Sequence, residues 1–239
     1  MELIELKNKI IASFSGSKEE LKEILEIVDN DYSVFPFNEY EYMITNMLNK
    51  GGLTFDTYLD IRNEYISNNP NLWIFEISAP RKFGESFAQT YIMGKSSNIK
   101  KASKKFDPNY SGQYDLWFDG IRIEVKASRV VSSDSEEPLY MKALSRNTKQ
   151  PFLMNFQQLK PQYCDVFIWL AVFRDEILIW VINSQTILNH PLYSIGQHRG
   201  NKGKEGQMHI THENINQLNK FILGNRNIEE VLRNEANKN

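Results

Sequence analysis

The sequence predicts an α/β fold in which helices flank a central mixed β-sheet, with a helical layer at the N-terminus. Apolar residues recur at helical intervals over residues 1–70. Residues 114–126 and 164–182 have the alternation, apolar content and turn signals of β-hairpins. We therefore expect a helical N-terminal subdomain over residues 1–70 and a core over residues 71–239 that ends in a basic loop and helices.

The N-terminal subdomain is predicted to contain three helices. The first follows residues 17–20, which have the spacing of a capping box, and the second follows Asn38. The third is expected from about Thr54 to Ile66. A buried strand over Leu72–Ile77, a helix over 84–93 and a polar loop over 94–113 are predicted to follow. The two hairpins come next, with a helix near 152–159 between them. The chain is predicted to end with a basic loop over 196–206 and helices near 211–222 and 227–236.

The composition excludes several classes of protein. The single cysteine, Cys164, excludes a disulfide scaffold and a cysteine-rich zinc site. No apolar run approaches the roughly 18 residues that a membrane-spanning helix needs. The N-terminus also lacks a basic-then-apolar signal pattern. We therefore expect a cytoplasmic protein with a substantial core, since 41% of its residues are hydrophobic.

Charge is distributed unevenly along the chain. Residues 1–70 carry six Lys/Arg and thirteen Asp/Glu, a balance of −7. Residues 79–150 carry thirteen Lys/Arg and eight Asp/Glu, a balance of +5. The middle third of the chain is therefore suited to an anionic partner.

Residues 114–126 are predicted to form a hairpin around the Asp119-Gly120 turn. This dipeptide is a strong turn signal because both central residues of a type I′ turn need positive φ. The turn fixes the register of the two strands. The predicted pairs are Phe118 with Ile121, Trp117 with Arg122, Leu116 with Ile123, and Asp115 with Glu124.

Side-chain alternation divides this hairpin into an apolar face and a charged face that carries Asp115, Glu124 and Lys126. Carboxylates on directly opposite residues repel each other, because their Cβ atoms lie only about 4.5–5.5 Å apart. A Mg²⁺ ion would compensate them, and Lys126 could bind an anion beside the ion or orient an attacking water. The alternative is a solvated strand face on which Lys126 simply neutralises the carboxylates.

Asp115 followed by Glu124-Val-Lys126 on the next strand resembles the catalytic signature of the PD-(D/E)xK nucleases. The size and layout of the chain look most like a type II restriction endonuclease. The motif resemblance covers about residues 81–129, and Tyr114 stands where the family often has proline. The resemblance implies a restriction-endonuclease-like core, Mg²⁺ bound by Asp115 and Glu124, and a Lys126 that positions or activates the water attacking a phosphodiester.

The resemblance implies a further residue and several partners. Such nucleases often use a glutamate from a helix before the hairpin, and Glu85 is the best-placed candidate because Glu76 lies in a predicted strand. The implied activity is site-specific cleavage of double-stranded DNA by a homodimer, with the acidic N-terminal subdomain as the expected dimer-forming part and a methyltransferase as a separate protein. Two alternatives stay open: another nuclease of this fold acting in repair or on branched DNA, and a non-catalytic nucleic-acid-binding protein.

Basic and polar segments on both sides of the hairpin are candidates for contact with DNA. The lysine run before the hairpin, with Ser128 and Arg129, would contact phosphates. Lys142 and Arg146 could face a groove, where arginine suits guanine, and side chains of the basic loop would contact base edges. A solvated surface without a specific role is the alternative for each segment. The candidates are Lys100, Lys101, Lys104, Lys105, Ser128, Arg129, Lys142, Arg146, Gln197, His198, Arg199, Asn201, Lys202 and Lys204.

Overall fold

A computed structural model describes residues 51–77, 79–133, 142–196 and 205–238 of the chain, together with the isolated positions 17, 19, 48, 49, 136 and 139. Contacts divide the chain into two compact units, Met1–Phe35 and Pro36–Asn239. All elements named below belong to the second unit. The first two predicted helices lie outside the described residues, apart from isolated positions.

Helix α1 (Phe55–Asn68) is the third helix that the sequence predicts, and it begins and ends within two residues of the predicted bounds. Thr54 caps its N-terminus, because the side-chain oxygen accepts a hydrogen bond of 3.2 Å from the Thr57 N–H. Tyr65 is buried, with the Arg174 guanidinium 6.0 Å from its ring centre. This contact packs α1 onto the core.

Residues 72–77, predicted as a strand, instead contain the one-turn helix α2 (Leu72–Phe75). Asn71 fixes this turn against the core: its backbone N–H donates to the Arg174 carbonyl at 3.0 Å, and its side-chain amide donates to the Phe173 carbonyl at 3.1 Å. Trp73 is 48% exposed, although the other residues of α2 are buried. The strand prediction was wrong because apolar periodicity does not separate helix from strand in so short a run.

The helix predicted over 84–93 is confirmed as α3. It consists of a π-helical segment, Lys82–Gln89, that continues directly into the α-helical turn Thr90–Met93. Phe83, Ala88 and Ile92 are buried on its inner side. Short π-helical segments are rare in proteins, and those that occur are often found at functional sites.

The central sheet is mixed, as predicted. Its strands are β1 (Lys100–Lys101), β2 (Leu116–Phe118), β3 (Ile121–Arg129), β5 (Val166–Val172) and β6 (Ile177–Asn183), and they are ordered β1-β2-β3-β5-β6. Strands β3 and β5 run parallel, and all other neighbours run antiparallel. Both predicted hairpins are confirmed, since β2 pairs with β3 and β5 pairs with β6.

The β2–β3 hairpin forms three of the four pairs that the turn predicts. Asp115 and Glu124 are not paired as predicted, because the Asp115 N–H donates to the Ile123 carbonyl at 3.0 Å and the two strands separate there. Leu116 pairs with Ile123, and Asp119 and Gly120 have φ of 48° and 85°, the positive values that a type I′ turn requires. The alternation is confirmed as well, because the predicted apolar face is buried while Glu124 remains half-buried. The buried side chains of that face are Leu116, Phe118, Ile121, Ile123 and Val125.

Residues 152–159, predicted as a helix, contain strand β4 (Leu153–Leu159). It forms a three-stranded antiparallel sheet in the order β4-β8-β7, with β7 (Tyr193–Ile195) and β8 (Gly206–Thr211). Met154 and Phe156 are buried in alternation with their neighbours, which is the period of a strand. The register shifts between Phe156 and Leu159, where Gln158 has a φ of 55°. This irregularity interrupts the alternation, so the sequence pattern suggested a helix.

The C-terminal helices are confirmed in part. A 3₁₀-helix over Ile215–Phe221 occupies part of the first predicted helix, whose opening residue belongs instead to β8. Helix α5 (Ile228–Ala236) matches the second, and Asn227 caps it by accepting hydrogen bonds from two backbone N–H groups. Helix α4 (Ser184–Leu188) follows β6 and was not predicted.

Two apolar clusters cover the two faces of the central sheet. On one face the three-stranded sheet packs against β5 and β6, with Phe156 stacked on Trp169 at 4.5 Å between ring centres. On the other face α3 and α5 cover β2, β3, β5 and β6. Every residue of β5 is buried, as predicted for a strand covered on both sides. Among the described residues, none of the helices has both the length and the apolar content to cross a membrane.

Candidate active site

Asp115 lies where β2 and β3 separate. The β2–β3 pairing begins at Leu116 and Ile123, whereas β3 continues to Arg129. The Asp115 backbone N–H donates to the Ile123 carbonyl at 3.0 Å, and the Asp115 carboxylate accepts the Val125 N–H at 2.8 Å. The side chain therefore satisfies an N–H on the edge of β3 that β2 no longer reaches.

The second oxygen of the Asp115 carboxylate accepts a hydrogen bond from Gln89. The distance between Nε2 of Gln89 and Oδ1 of Asp115 is 2.8 Å. Gln89 is buried, with 5% of its surface exposed, and it ends the π-helical segment of α3. Both carboxylate oxygens thus have a fixed donor, so the orientation of Asp115 is set before any ligand binds.

Glu124 and Lys126 lie two residues apart on the same face of β3. Their side chains form an ion pair, with 2.7 Å between Oε1 of Glu124 and Nζ of Lys126. They are only 14% and 22% exposed. Their partners on β5 are Phe167 and Trp169, both fully buried. The charged groups therefore lie beside buried aromatic side chains on the same face of the sheet.

Burial changes the acidity of both carboxyl groups. Burial raises the pKa of Asp115, and the negative charge of Glu85 raises it further. The Val125 N–H, the charge of Lys126 and a hydrogen bond with Glu124 act in the opposite direction and lower this pKa. Burial raises the pKa of Glu124 to about 7; the Asp115 charge adds to this, while Lys126 opposes it. Two neighbouring, poorly solvated carboxylates with one lysine form a site that an additional cation would stabilise.

Glu85 lies on α3, four residues before Gln89. Its carboxylate pairs with Arg81 at 3.1 Å and remains 53% exposed. Its charge raises the pKa of Asp115, so it lies close enough to influence the site. The described part of the chain contains no group of three or more His, Cys, Asp or Glu side chains arranged to hold a metal ion. The site therefore offers two carboxylates, Asp115 and Glu124, rather than a complete ligand cage.

The tertiary structure brings three further residues to the site. Gln89 carried a weak signal in the sequence, because it follows Glu85 by about one helical turn. Tyr110 lies near both carboxylates, since burial and then the charges of Asp115 and Glu124 raise the pKa of its phenol. Neither Tyr110 nor the third residue, Lys160, belongs to a motif that the sequence could have revealed.

Lys160, which directly follows β4, lies near Glu124. Its charge lowers the pKa of Glu124, and its ammonium pairs with Glu205 at 2.8 Å. Glu205 directly precedes β8. The end of the three-stranded sheet therefore adds a second lysine to the surroundings of Glu124, beside Lys126.

Four of the lysines predicted to contact DNA are exposed on the edge strand β1 and in the turn that follows it. Lys101 pairs with Leu116, the residue that follows Asp115, so β1 passes close to the site. Of the two predicted residues on β3, Ser128 is half-buried and shares a face with Glu124 and Lys126 by strand alternation. The exposed lysines are Lys100, Lys101, Lys104 and Lys105.

The other predicted contacts lie elsewhere. The Arg129 guanidinium donates to the carbonyls of Ile74, at 3.0 Å, and Ile77, and it covers the Phe83 ring at 3.9 Å. Its groups are therefore already engaged within the protein. Arg146 lies beside the β5–β6 turn, and Lys142 is half-buried in the loop before it. The remaining predictions, Gln197, His198, Arg199, Asn201, Lys202 and Lys204, lie outside the described residues.

No protein-family model matches this chain, and no curated protein matches it either. The chemistry of the site is therefore inferred from its side chains. Carboxylate oxygens are the ligands that Mg²⁺ prefers, and proteins commonly bind Mg²⁺ through one or two carboxylates, with waters and substrate phosphates completing the octahedron. Asp115 and Glu124 fit that ligand set.

Proposed function

We propose that the chain is a Mg²⁺-dependent endonuclease that cleaves double-stranded DNA at a short specific site, with a restriction-endonuclease-like core. One observation carries the proposal: Asp115 and Glu124 adjoin each other where β2 and β3 separate, with the Lys126 ammonium 2.7 Å from Glu124. Two acids and a lysine at a strand separation suit phosphodiester hydrolysis, which needs no cysteine or serine nucleophile.

Asp115 and Glu124 would hold the ion. When bound, Mg²⁺ supplies a Lewis acid that stabilises charge on the phosphate and lowers the pKa of a coordinated water. Gln89 and the Val125 N–H hold Asp115 in one orientation. Lys126 can donate a hydrogen bond to water or to a phosphate oxygen, because its side chain is 22% exposed and its ammonium lies beside Glu124.

DNA is the substrate that the surrounding charge supports. The four exposed lysines of residues 100–105 follow the sheet edge that leads to Asp115, and none of them forms an ion pair within the described part of the chain. Exposed lysines along one edge are suited to successive phosphates, and their contribution decreases as salt increases. We expect alanine at all four positions to weaken DNA binding at low salt and to flatten its salt dependence.

Cleavage of both strands of a duplex needs two active sites, so we propose a homodimer formed through the N-terminal subdomain. A separately encoded methyltransferase would protect the DNA of the host, and both proteins would act in the cytoplasm. The test is the mass of the purified protein in solution, at micromolar concentration, with and without DNA. A monomeric mass under both conditions would contradict the dimer.

The activity is tested by digestion of plasmid and phage DNA with purified protein in millimolar Mg²⁺. We expect discrete fragments that disappear in EDTA and in Lys126→Ala. The matched control is Lys220→Ala, because Lys220 is an exposed lysine on the 3₁₀-helix Ile215–Phe221 and should leave cleavage unchanged.

The digestion also separates the alternatives. Nicking, or preference for branched DNA, would favour a repair nuclease over a restriction enzyme. Retarded DNA without cleavage, unaffected by Asp115→Ala or Glu124→Ala, would favour a non-catalytic binding protein. Neither cleavage nor retardation would contradict the proposal and leave the hairpin as a charged surface.

A further inference from the structure

We propose that the chain binds single-stranded nucleic acid through a second surface, on the outer side of α3. This surface, here called the aromatic track, is formed by Trp73, Phe87 and Tyr91, with Lys82 and Lys95 beside them. It does not include the acidic pair of the candidate active site and requires no hydrolysis. The inference therefore goes beyond the proposed endonuclease.

The three rings form a continuous aromatic surface. The Trp73 and Phe87 rings are perpendicular with 5.6 Å between their centres, and the centre of Phe87 lies 5.8 Å from that of Tyr91. They line an open cavity of about 570 Å³ together with Ile77 and Lys82. Trp73 is 48% exposed, so a flat and mostly apolar ring faces the solvent. Such rings are the platforms on which nucleic-acid bases stack.

A second cavity continues the track. It has a volume of about 440 Å³ and shares Tyr91 with the first cavity. Lys95, Asn225 and Arg226 contribute to its lining, and Lys95 lies 4.8 Å from the centre of the Tyr91 ring. A ligand that extends from one cavity into the other would meet aromatic rings first and cationic groups next. A single nucleotide strand, with flat bases and anionic phosphates, has this combination of groups.

The charge of the track is positive because its cations have no acidic partners. Within the described residues, neither Lys82 nor Lys95 forms an ion pair. The Arg226 guanidinium donates to the carbonyls of Leu223, at 3.2 Å, and Ile222. Two Arg226 donors are therefore engaged within the protein, whereas the Lys82 and Lys95 ammonium groups remain available to phosphates.

The carboxylates of the second cavity are already engaged. Glu229 lies 3.7 Å from the Arg233 guanidinium, and its other oxygen accepts hydrogen bonds from Ser96 and Asn98. Glu176 lies 3.8 Å from Arg146. The first cavity has no Asp or Glu in its lining. The surface therefore suits a polyanion with exposed flat groups, and a duplex does not fit this description because its base faces are stacked on each other.

The test uses the full-length protein with Asp115→Asn in EDTA, so that its result does not depend on cleavage. Binding of a fluorescein-labelled oligothymidylate of about 12 nucleotides is followed by anisotropy. We expect Trp73→Ala to weaken binding about tenfold and Trp73→Phe, which keeps a ring, to stay within about threefold of the parent. Leu188→Ala is the matched control, because Leu188 is 44% exposed and lies outside the track.

Two further measurements keep the proposal testable if Trp73→Ala unfolds. Trp73 is the most exposed of the four tryptophans, since Trp169 and Trp180 are fully buried and Trp117 is half-buried. The oligonucleotide should therefore quench tryptophan fluorescence in the parent and not in Trp73→Phe. Replacing Lys82 and Lys95 together with alanine should reduce the slope of log affinity against log salt by about 1.4.

Three results would overturn the inference. The first is unchanged oligonucleotide binding in a folded Trp73→Ala protein. The second is equal competition by a duplex of the same length, which would assign the binding to charge alone. The third is a change of oligomeric mass in Trp73→Ala with unchanged oligonucleotide binding, which would assign the track to contact with a second copy of the chain.

Discussion

The Gln89 amide donates a hydrogen bond to Asp115, with 2.8 Å between Nε2 and Oδ1. This contact joins the end of the π-helical segment to the candidate metal ligand, across residues that are distant in the sequence. Because Gln89 is buried and the Val125 N–H holds the other carboxylate oxygen, Asp115 is restrained at both oxygens. The helix therefore determines how the acid is presented.

We predict that Gln89→Ala lowers cleavage about 10- to 100-fold, the range typical for residues that orient metal ligands. Mg²⁺ titration should show a higher half-saturating concentration, because Asp115 loses one of its two donors. Thr90→Ala is the control, since Thr90 is the exposed next residue on α3. Full activity of Gln89→Ala with unchanged Mg²⁺ dependence would contradict the orienting role.

Cleavage should decrease with falling pH. The pKa of Glu124 is raised to about 7, first by burial, and a protonated carboxyl binds Mg²⁺ poorly. At subsaturating Mg²⁺ we expect the rate to fall below about pH 7, and higher Mg²⁺ to move the decline to lower pH because ion and proton compete. A rate that stays constant down to about pH 5 would exclude Glu124 as the titrating ligand.

Glu124→Gln should stabilise the metal-free protein at pH 8 while it abolishes cleavage. The folded-state pKa of Glu124, about 7, exceeds the ordinary glutamate pKa of 4.5. The folded state therefore binds more protons between these pH values, and the stability of the folded state decreases as the pH rises through about 7.

Removing the buried charge should recover roughly 1–2 kcal/mol at pH 8, since each pKa unit corresponds to about 1.4 kcal/mol and Lys126 loses its partner. The gain should be small near pH 4. Urea unfolding in EDTA measures it, with Glu64→Gln on the exposed side of α1 as control. A destabilised Glu124→Gln protein at pH 8 would show that the ion pair with Lys126 outweighs the cost of burial.

Arg129→Ala should destabilise the fold by about 2–3 kcal/mol, because a charged donor to buried carbonyls and its contact with an aromatic ring are lost together. Burial lowers the pKa of Arg129 to about 10, in agreement with its enclosed position. Arg129→Lys should recover only part of the loss, since one ammonium cannot reproduce the guanidinium fork. Unchanged unfolding in urea, combined with weaker DNA binding, would instead support the phosphate contact predicted for this residue.

The Asp119-Gly120 turn and the alternation that follows it were predictable because their causes are local. Positive φ at two residues fixes the turn, the turn fixes the register, and the register divides the hairpin into a buried and a charged face. The prediction that Asp115, Glu124 and Lys126 share a surface needed nothing else.

Residues 72–77, in a very short run, and residues 152–159, where a register shift interrupts the alternation, were both predicted incorrectly. Their apolar residues are compatible with either helix or strand, so the choice depends on distant partners. Strand β4 forms because β8 supplies a complementary edge, and α2 forms because Asn71 attaches the chain to the carbonyls of Phe173 and Arg174. Such partners have no signature in a short window of sequence.

Turn chemistry and the two-residue period of a strand act between near neighbours, so the hairpin and the meeting of two carboxylates with a lysine were predictable from local sequence. The groups that surround those carboxylates follow instead from the packing of distant elements. Gln89, Tyr110 and Lys160 reach them from separate elements, and burial over β5 raises the pKa of Glu124 to about 7. Burial and long-range charge depend on the packing of the whole chain, so no local pattern encodes them.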